Sequence, residues 1–267
     1  MQRFLSFLLA TLLTLGLGAQ IRADELVLQY GQAQYGEQPL AWSPDGEFLA
    51  TCDAQSTRLW HVPSGELRRV LRGGGIPVWS PDGALLAVGD GGDLISGNSM
   101  IRVWKVPEMQ LKSVIRRAAL PAWSRDSQTL ALSIHGDKWE DPSLGIWERA
   151  TNKLVSLRKR AADAAKVPLN SYRSAAEQNA WSEPFQEQMS FLTLSPDGKW
   201  IATATKDYGS RRKTERITLW NAQSGRRVKR FQSEGTIRSL AFAPNGQLFV
   251  GESETQLWRL DVQTGAR

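Results

Sequence analysis

The residues that could bind a metal ion or support catalysis are few, and most of them fall in one short stretch. His135, Asp137, Glu140 and Asp141 carry imidazole and carboxylate groups, which are common metal ligands in proteins. Their spacing matches no ligand motif typical of a metal site. A solvated hairpin is therefore the interpretation that we favour for this stretch, and we expect no bound metal.

Other catalytic signatures are missing from the sequence. There is no Gly-x-Ser-x-Gly nucleophile elbow, no phosphate-binding Gly-Lys-Ser/Thr loop and no dinucleotide-binding fingerprint. The chain has two histidines, and since His61 directly follows a Trp, we do not expect a Ser–His pair. The single cysteine, Cys52, excludes an intrachain disulfide and is expected to be buried and inert. The sequence thus predicts no catalytic residue, no cofactor and no enzyme activity.

The composition is that of an ordinary globular protein. The chain has 267 residues, of which 41% are hydrophobic and 22% charged, and this excludes a disordered chain. Lys and Arg exceed Asp and Glu by 33 − 27 = +6. This mild basic excess does not by itself indicate a nucleic-acid partner, and we expect none.

A turn motif recurs five times and organises the chain. Each copy has four residues with Asp or Asn in the third place, and most copies have Pro in the second place and Gly in the last. These residue types favour tight turns. The copies are Ser43-Pro44-Asp45-Gly46, Ser80-Pro81-Asp82-Gly83, Ser124-Arg125-Asp126-Ser127, Ser195-Pro196-Asp197-Gly198 and Ala243-Pro244-Asn245-Gly246. Five copies in one pattern indicate an internal structural repeat.

Bulky and aromatic residues keep a fixed place in each repeat. A large apolar residue precedes every turn, and an aliphatic-Trp pair follows later in the repeat. The residues before the turns are Trp42, Trp79, Trp123, Leu194 and Phe242, and the pairs are Leu59-Trp60, Val103-Trp104, Ile146-Trp147, Leu219-Trp220 and Leu257-Trp258. The pattern predicts four short antiparallel strands per repeat, which is one blade of a β-propeller. We expect these bulky residues to pack between blades rather than to bind a ligand.

The repeat resembles that of the WD-repeat (WD40) propeller family over roughly residues 25–265. The matching features are Ser-Pro-Asp-Gly, then Leu-Ala, then Leu-Trp. The Asp that follows the Trp in that family and its Gly-His dipeptide are absent. The Trp-Ser-Pro-Asp-Gly segments are also similar, more weakly, to the repeats of periplasmic TolB-type propellers. The resemblance implies an all-β propeller of five four-stranded blades over residues 24–267.

The N-terminal residues predict export and ring closure. Residues 1–23 have a positive start, an apolar run of Phe4–Leu17 and small residues at Ala19 and Ala23, as in a cleaved secretory signal peptide. We therefore expect a periplasmic or secreted protein without a membrane span after cleavage. The segment Leu26–Tyr30 reads as a lone strand, which the resemblance places as the fourth strand of blade 5. Whether a monomer forms the complete ring or needs another chain stays open.

Loop lengths predict where the function lies. The loops between the second and third strands of repeats two, three and four are long, and an insertion near 161–188 separates repeats three and four. Strand alternation places all four on one face of a propeller, where variable loops build binding sites. Tyr, Trp and Arg on such loops are typical contact anchors for a protein or peptide partner. The candidate partner-binding residues are Trp139, Tyr172, Trp181, Phe185, Tyr208, Arg211, Arg212 and Lys213.

Two alternative functions stay open at this stage. One is a propeller enzyme, or a binder of a metal or small molecule at the mouth of the central channel. The other is a binder of an anionic envelope polymer or lipid surface, because basic residues cluster in the predicted outer strands at 68–72, 112–117, 158–160 and 226–230. Charge on exposed edge strands also blocks aggregation, which is the simpler explanation of these clusters.

Overall fold

Five successive antiparallel sheets make up the fold in the computed structural model. The structure describes residues 40–53, 55–90, 99–135, 142–157, 187–207, 215–233, 235–253, 257–262 and 264. In each sheet the strands are neighbours in sequence order, so every sheet is a simple meander. The predicted all-β propeller class is confirmed, and we number the sheets as blades 1 to 5.

The strands of each blade run from an inner first strand to an outer last strand. Blade 1 contains β1 (Leu40–Trp42), β2 (Phe48–Cys52), β3 (Ser56–His61) and β4 (Glu66–Arg72). Blade 2 contains β5 (Pro77–Trp79), β6 (Leu85–Gly89), β7 (Met100–Lys105) and β8 (Gln110–Arg116). Blade 3 contains β9 (Ala118–Trp123), β10 (Thr129–His135), β11 (Pro142–Glu148) and β12 (Lys153–Ser156). Blade 4 contains β13 (Glu187–Leu194), β14 (Trp200–Asp207), β15 (Glu215–Asn221) and β16 (Arg227–Gln232), and blade 5 contains β17 (Ile237–Phe242), β18 (Leu248–Glu252) and β19 (Leu257–Leu260).

Blade 5 has three described strands, whereas each other blade has four. The segment 26–30, predicted to supply the fourth strand, lies outside the described residues together with the signal segment 1–23. Closure of the ring by that segment therefore stays a prediction. In the described part of the chain, no helix has the length and hydrophobicity needed to span a bilayer.

The recurring turn is held by a Ser–Asp pair, as blade 2 shows. The Ser80 hydroxyl donates to the Asp82 carboxylate at 2.6 Å and accepts the Leu85 N–H at 2.9 Å. The same carboxylate accepts the Ala84 N–H at 3.1 Å. Gly83 adopts a φ of 70°, which a residue without a side chain reaches at low cost. Burial alone would raise the pKa of Asp82, but hydrogen bonds from Ser80 and Arg149 outweigh it and lower that pKa.

Blade 3 replaces the turn glycine with Ser127, and this change links two blades. Ser127 adopts a φ of 60° and is buried. Its hydroxyl accepts the backbone N–H of Asp82 in blade 2 at 3.0 Å. The Arg149 guanidinium of blade 3 also donates to the Asp82 carboxylate. The departure from the repeat therefore fastens blade 3 to blade 2 at the turns.

The third-strand Trp keeps one register in the first four blades. It pairs with the residue that begins the Leu-Ala or Ile-Ala step of the second strand, as Trp60 does with Leu49 and Trp220 with Ile201. In blade 5 the residue in this place is Leu260, opposite Leu248. The Leu257-Trp258 pair lies in the third strand of blade 5, as its place in the repeat predicts, but its Trp has a different register.

A shorter turn causes the register change in blade 5. The N–H of Ser43 in blade 1 bonds to the carbonyl of Phe48, five residues later, whereas the N–H of Ala243 bonds to Gln247, four residues later. The turn of blade 5 is one residue shorter, and with Ala243 in place of Ser it lacks the hydroxyl cap. Leu248 therefore takes the place that Leu49 holds in blade 1, opposite the last residue of the first strand. Trp258 lies opposite Val250, two positions from Leu248.

Hydrophobic clusters join each blade to the next, from blade 1 to blade 5. The clusters combine the small residues of one blade with the bulky residues of the following one, as Ala50 with Trp79 and Leu86, and Val103 with Trp123. Two further clusters join blades 3 to 4 and 4 to 5. Among the described residues, no such cluster joins blade 5 back to blade 1.

Trp42 shows the effect of this missing contact. Trp79 and Trp123, which stand before the same turn, are 6% and 2% exposed, but Trp42 is 54% exposed. Leu40 beside it is 51% exposed, and Leu257 of blade 5 is 67% exposed. The expectation that every bulky residue before a turn packs between blades is therefore wrong for Trp42. Large apolar side chains are thus exposed at both ends of the described series of blades, and we call the Trp42 side of blade 1 its uncovered face.

Candidate functional site: the loop face

The strand ends of the blades lie on two opposite faces of the sheets. The Ser-Pro-Asp-Gly turns and the turns between third and fourth strands lie at one end, which we call the turn face. The connections from second to third strand and from one blade to the next lie at the other end, which we call the loop face. This division follows from the antiparallel meander in every blade.

The candidate partner-binding residues belong to connections of the loop face. Trp139 lies between β10 and β11, and Tyr172, Trp181 and Phe185 lie between β12 and β13. The four residues Tyr208, Arg211, Arg212 and Lys213 lie between β14 and β15. All eight fall outside the described residues, so their contacts stay untested. The described strand ends show which blades carry them.

Blade 1 has a short connection at the loop face, built around one carboxylate. The Asp53 carboxylate accepts the N–H of Gln55 at 2.9 Å and that of Ser56 at 2.8 Å. It also accepts the Ser56 hydroxyl and the Arg58 guanidinium. The Gln55 N–H bond, followed by that from Arg58, holds the pKa of Asp53 well below its ordinary value. The Asp53 carboxylate therefore joins the two described sides of this connection, which is a structural role.

The joint between blades 1 and 2 at the loop face needs glycine. The N–H of Gly75 donates to the carbonyl of Gly89 at 2.9 Å. A Cβ on Gly75 would come within 2.9 Å of the Gly89 backbone, closer than real Cβ atoms approach. The Thr57 hydroxyl ties the same joint by donating to the Gly73 carbonyl at 2.6 Å. The run Gly73–Gly75 therefore serves close backbone packing.

Cys52 lies beside this joint and is buried, as predicted. Its thiol is 2.9 Å from the Thr57 hydroxyl. Burial raises the pKa of the Cys52 thiol to about 11. The thiolate, which is the nucleophilic form, is therefore scarce at neutral pH.

The joint between blades 4 and 5 uses two buried acids that the sequence analysis did not single out. Glu215 is 6% and Glu252 8% exposed. The Glu215 carboxylate accepts the N–H of Ile237 at 2.6 Å, and the Ser233 hydroxyl donates to Glu252. The sequence offered no signal for them, because a Glu at a strand end normally faces water. The hydrogen bonds of these two acids hold blades 4 and 5 together, which is a structural role.

A Ser–His hydrogen bond occurs on the turn face, where it holds a turn together. His61 Nδ1 lies 2.8 Å from the Ser64 hydroxyl, in an exposed turn. Blade 4 has Asn221 and Ser224 at the equivalent places, and there the Asn side chain accepts both the N–H and the hydroxyl of the Ser. Because the two pairs have the same spacing, we infer that each stabilises the turn between the third and fourth strands of its blade.

Metal binding finds no support in the described residues. In those ranges, no group of three or more His, Cys, Asp or Glu side chains comes together. The stretch Asp137–Asp141 that contains the candidate ligands lies outside them, and of His135 only the backbone is described. Its chemistry stays an expectation from the sequence.

Comparison with known proteins agrees with the geometry of the blades. The family described as "WD domain, G-beta repeat" matches residues 40–61, which cover the first three strands of blade 1. The chain is thus a β-propeller whose first blade is similar to a WD repeat. No curated protein matches the sequence.

Solved structures are similar to this chain at low sequence identity. The β-propeller domain of Cps50 (Swd1) from Myceliophteria thermophila is 14% identical, with a TM-score of 0.57, and the match covers 88% of this chain and 70% of that chain. Kuenenia stuttgartiensis hydrazine synthase is 19% identical with a TM-score of 0.60, over 84% of this chain and 64% of that one. TolB from Acinetobacter baumannii is 17% identical with a TM-score of 0.49, over 83% and 53%. This chain thus spans less than two thirds of the hydrazine synthase and TolB chains.

Proposed function

We propose that this protein is an exported WD-repeat scaffold that binds a protein or peptide partner through its loop face. The observation that carries the proposal is the segregation of long connections. The spans 91–98, 136–141, 158–186 and 208–214 all join strand ends at the loop face, whereas the turns at the opposite end are short and hydrogen-bonded. A rigid scaffold with variable loops on one side is how repeat folds present binding surfaces.

The chemistry of those connections also favours a macromolecular partner. Three of the four carry aromatic residues or arginines outside the blade pattern, including Trp181, Tyr208 and Arg211. Such residues dominate protein interfaces because each buries a large area with few rotatable bonds. We propose binding without catalysis, and we place the protein in the periplasm or outside the cell on the basis of residues 1–23.

A matched pair of variants tests the loop face. The loop variant carries Arg211→Glu and Arg212→Glu, and the control carries Arg125→Glu and Lys199→Glu, two exposed residues of the turn face. Both variants change the net charge equally. We expect crosslinking in the native envelope fraction to capture a defined protein with the wild type and the control but not with the loop variant. Equal capture by both variants, or no capture by the wild type, contradicts the proposal.

A second test separates the aromatic anchors from charge. Trp181→Ala should weaken capture of the same protein at least tenfold if the indole is an anchor at the interface. Export is checked separately, because the secreted or periplasmic protein should have the mass of residues 24–267. A mass that includes residues 1–23 contradicts signal cleavage without bearing on the loop face.

A further inference from the structure

The outer strands of blades 1 and 2 carry the same surface pattern. Residues 67–72 read Leu-Arg-Arg-Val-Leu-Arg, and residues 111–116 read Leu-Lys-Ser-Val-Ile-Arg. The strand pairing superimposes the two: Leu67 and Leu111 each lie opposite the third-strand Trp of their blade. We call these two hexads together the rim strip. Blade 4 does not repeat the pattern, since its outer strand reads Arg-Val-Lys-Arg-Phe-Gln.

The aliphatic residues of the rim strip are turned to solvent. Leu67 is 44%, Val70 54%, Leu111 47% and Val114 39% exposed. Only the fifth residue of each hexad enters the core, with Leu71 and Ile115 buried. Leu154 of blade 3 is exposed at the place of the first residue, so the feature confined to blades 1 and 2 is a Val at the fourth position with an Arg at the sixth.

The arginines of the rim strip are available to a partner. Arg69, Arg72 and Arg116 are exposed, and within the described ranges no carboxylate forms an ion pair with them. Arg68 makes only an exposed 3.4 Å pair with Glu66, which contributes little. The basic outer strand of blade 4 differs, because Lys229 donates to the Thr264 carbonyl and lies over the Phe231 ring.

Pairing with an added β-strand is disfavoured along the rim strip. Both outer strands have a register shift at their second position, where Arg68 and Lys112 are extra residues relative to the third strand. Such bulges twist an edge strand and interrupt the row of backbone groups that a new strand would need. The rim strip therefore offers side chains rather than a backbone edge.

We propose that the rim strip docks on an anionic lipid bilayer. Its arginines fit negatively charged headgroups, and three of them together raise partitioning by roughly a hundredfold. A soluble polyanion would bind the same arginines, but it would make no favourable contact with the exposed leucine and valine side chains. Aliphatic side chains gain when they enter the boundary between headgroups and acyl chains. Basic and aliphatic residues occur together on the outer strands of two adjacent blades, and this combination favours the bilayer as the partner.

Vesicle flotation of the full mature chain tests the proposal. The probes are vesicles of phosphatidylethanolamine with phosphatidylglycerol and vesicles of phosphatidylcholine alone. The charge variant carries Arg69→Glu, Arg72→Glu and Arg116→Glu, and its matched control carries Lys105→Glu, Lys153→Glu and Lys199→Glu. The apolar variant carries Leu67→Ser, Val70→Ser, Leu111→Ser and Val114→Ser, and its matched control carries Val62→Ser, Leu154→Ser, Val228→Ser and Leu257→Ser.

We expect binding to the phosphatidylglycerol vesicles that falls with added salt, and weak binding to phosphatidylcholine. Each rim-strip variant should lower that binding at least tenfold, and neither matched control should lower it more than twofold. An absence of binding overturns the proposal. Equal losses in variant and control, or an apolar variant that binds like the wild type, also overturn it, the latter in favour of a soluble polyanion.

Discussion

Trp42 and Trp123 occupy the same place in the repeat but have opposite surroundings. Each precedes a Ser-x-Asp turn and ends the first strand of its blade. Trp123 is buried, meets the Trp147 ring edge-on at 6.0 Å, and donates its indole N–H to the Val78 carbonyl of blade 2 at 3.1 Å. Trp42 is mostly exposed. The repeat motif therefore sets the strand and its turn, while the preceding blade decides whether the indole is buried.

The first prediction tests the contrast directly. Trp123→Ala removes a buried ring and should lower the free energy of unfolding by about 3–5 kcal/mol. Trp42→Ala removes an exposed ring and should lower it by less than about 1 kcal/mol. Urea denaturation of both variants measures the difference. A similar loss in both would show that Trp42 is covered in solution.

The second prediction concerns the turns, which should not depend on the neighbouring blade. Ser43→Ala and Ser80→Ala each remove a buried hydroxyl that caps the same turn. Both should lower the free energy of unfolding by about 1–3 kcal/mol, with similar values for the two. Urea midpoints of the two variants give the comparison. A much smaller loss for Ser43→Ala would mean that the uncovered face also loosens the turn.

The third prediction concerns the acid stability of blade 1 at the loop face. The pKa of Asp53 in the folded protein lies below its ordinary value of 3.8, so its carboxylate contributes stability above that pH. This contribution is lost as the pH falls towards the folded-state pKa. Asp53→Asn should therefore show a smaller drop in urea midpoint between pH 5 and pH 2 than the wild type. Parallel pH profiles would exclude a role for Asp53.

The fourth and smallest prediction concerns a second difference between repeats. Trp60 and Trp220 donate their indole N–H to Thr51 and Thr203 at 3.0 and 3.1 Å. Within the described residues the buried indole N–H of Trp104 has no partner, and Val88 stands in the place of the Thr.

The hydroxyl of Val88→Thr should accept a hydrogen bond from the Trp104 indole N–H. This hydrogen bond should offset the cost of burying the hydroxyl. Val103→Thr is the matched control, because Val103 is equally buried but faces the other side of the sheet. We expect Val88→Thr to be more stable than Val103→Thr by about 1 kcal/mol. Thermal unfolding of the two variants decides, and equal losses would show that the Thr does not reach Trp104.

The sequence was sufficient for features that depend on local chemistry. The Ser–Asp turns, the buried Cys52 and the antiparallel meander of each blade follow from residue types and their spacing. The register of blade 5 did not, because the turn at Ala243 resembles the others in sequence while it is one residue shorter. The exposure of Trp42 was not predictable either, since it depends on a contact between residues at opposite ends of the chain.

Candidate functional residues were likewise predictable only where the local sequence identified them. The long connections of the loop face were visible in the sequence as departures from the repeat, although the residues on them lie outside the described structure. Glu215 and Glu252 were not visible, because a Glu at a strand end normally faces water and only the joint between blades 4 and 5 buries them. The rim strip was seen as a basic cluster, but its exposed aliphatic residues became evident only from the packing.

The short turn of blade 5 bears on how such an array can change over generations. Losing one residue from a hairpin re-pairs the strands and sends different side chains to the two sides of a sheet. A blade packed between two neighbours would have to alter both contacts at once to accept that loss. Blade 5 has a described neighbour on one side, so Leu248, Val250 and Leu260 could be refitted against blade 4 alone. A blade packed on one side is thus where the strand register can change, while the inner blades keep their register and differ in the length of their loop-face connections.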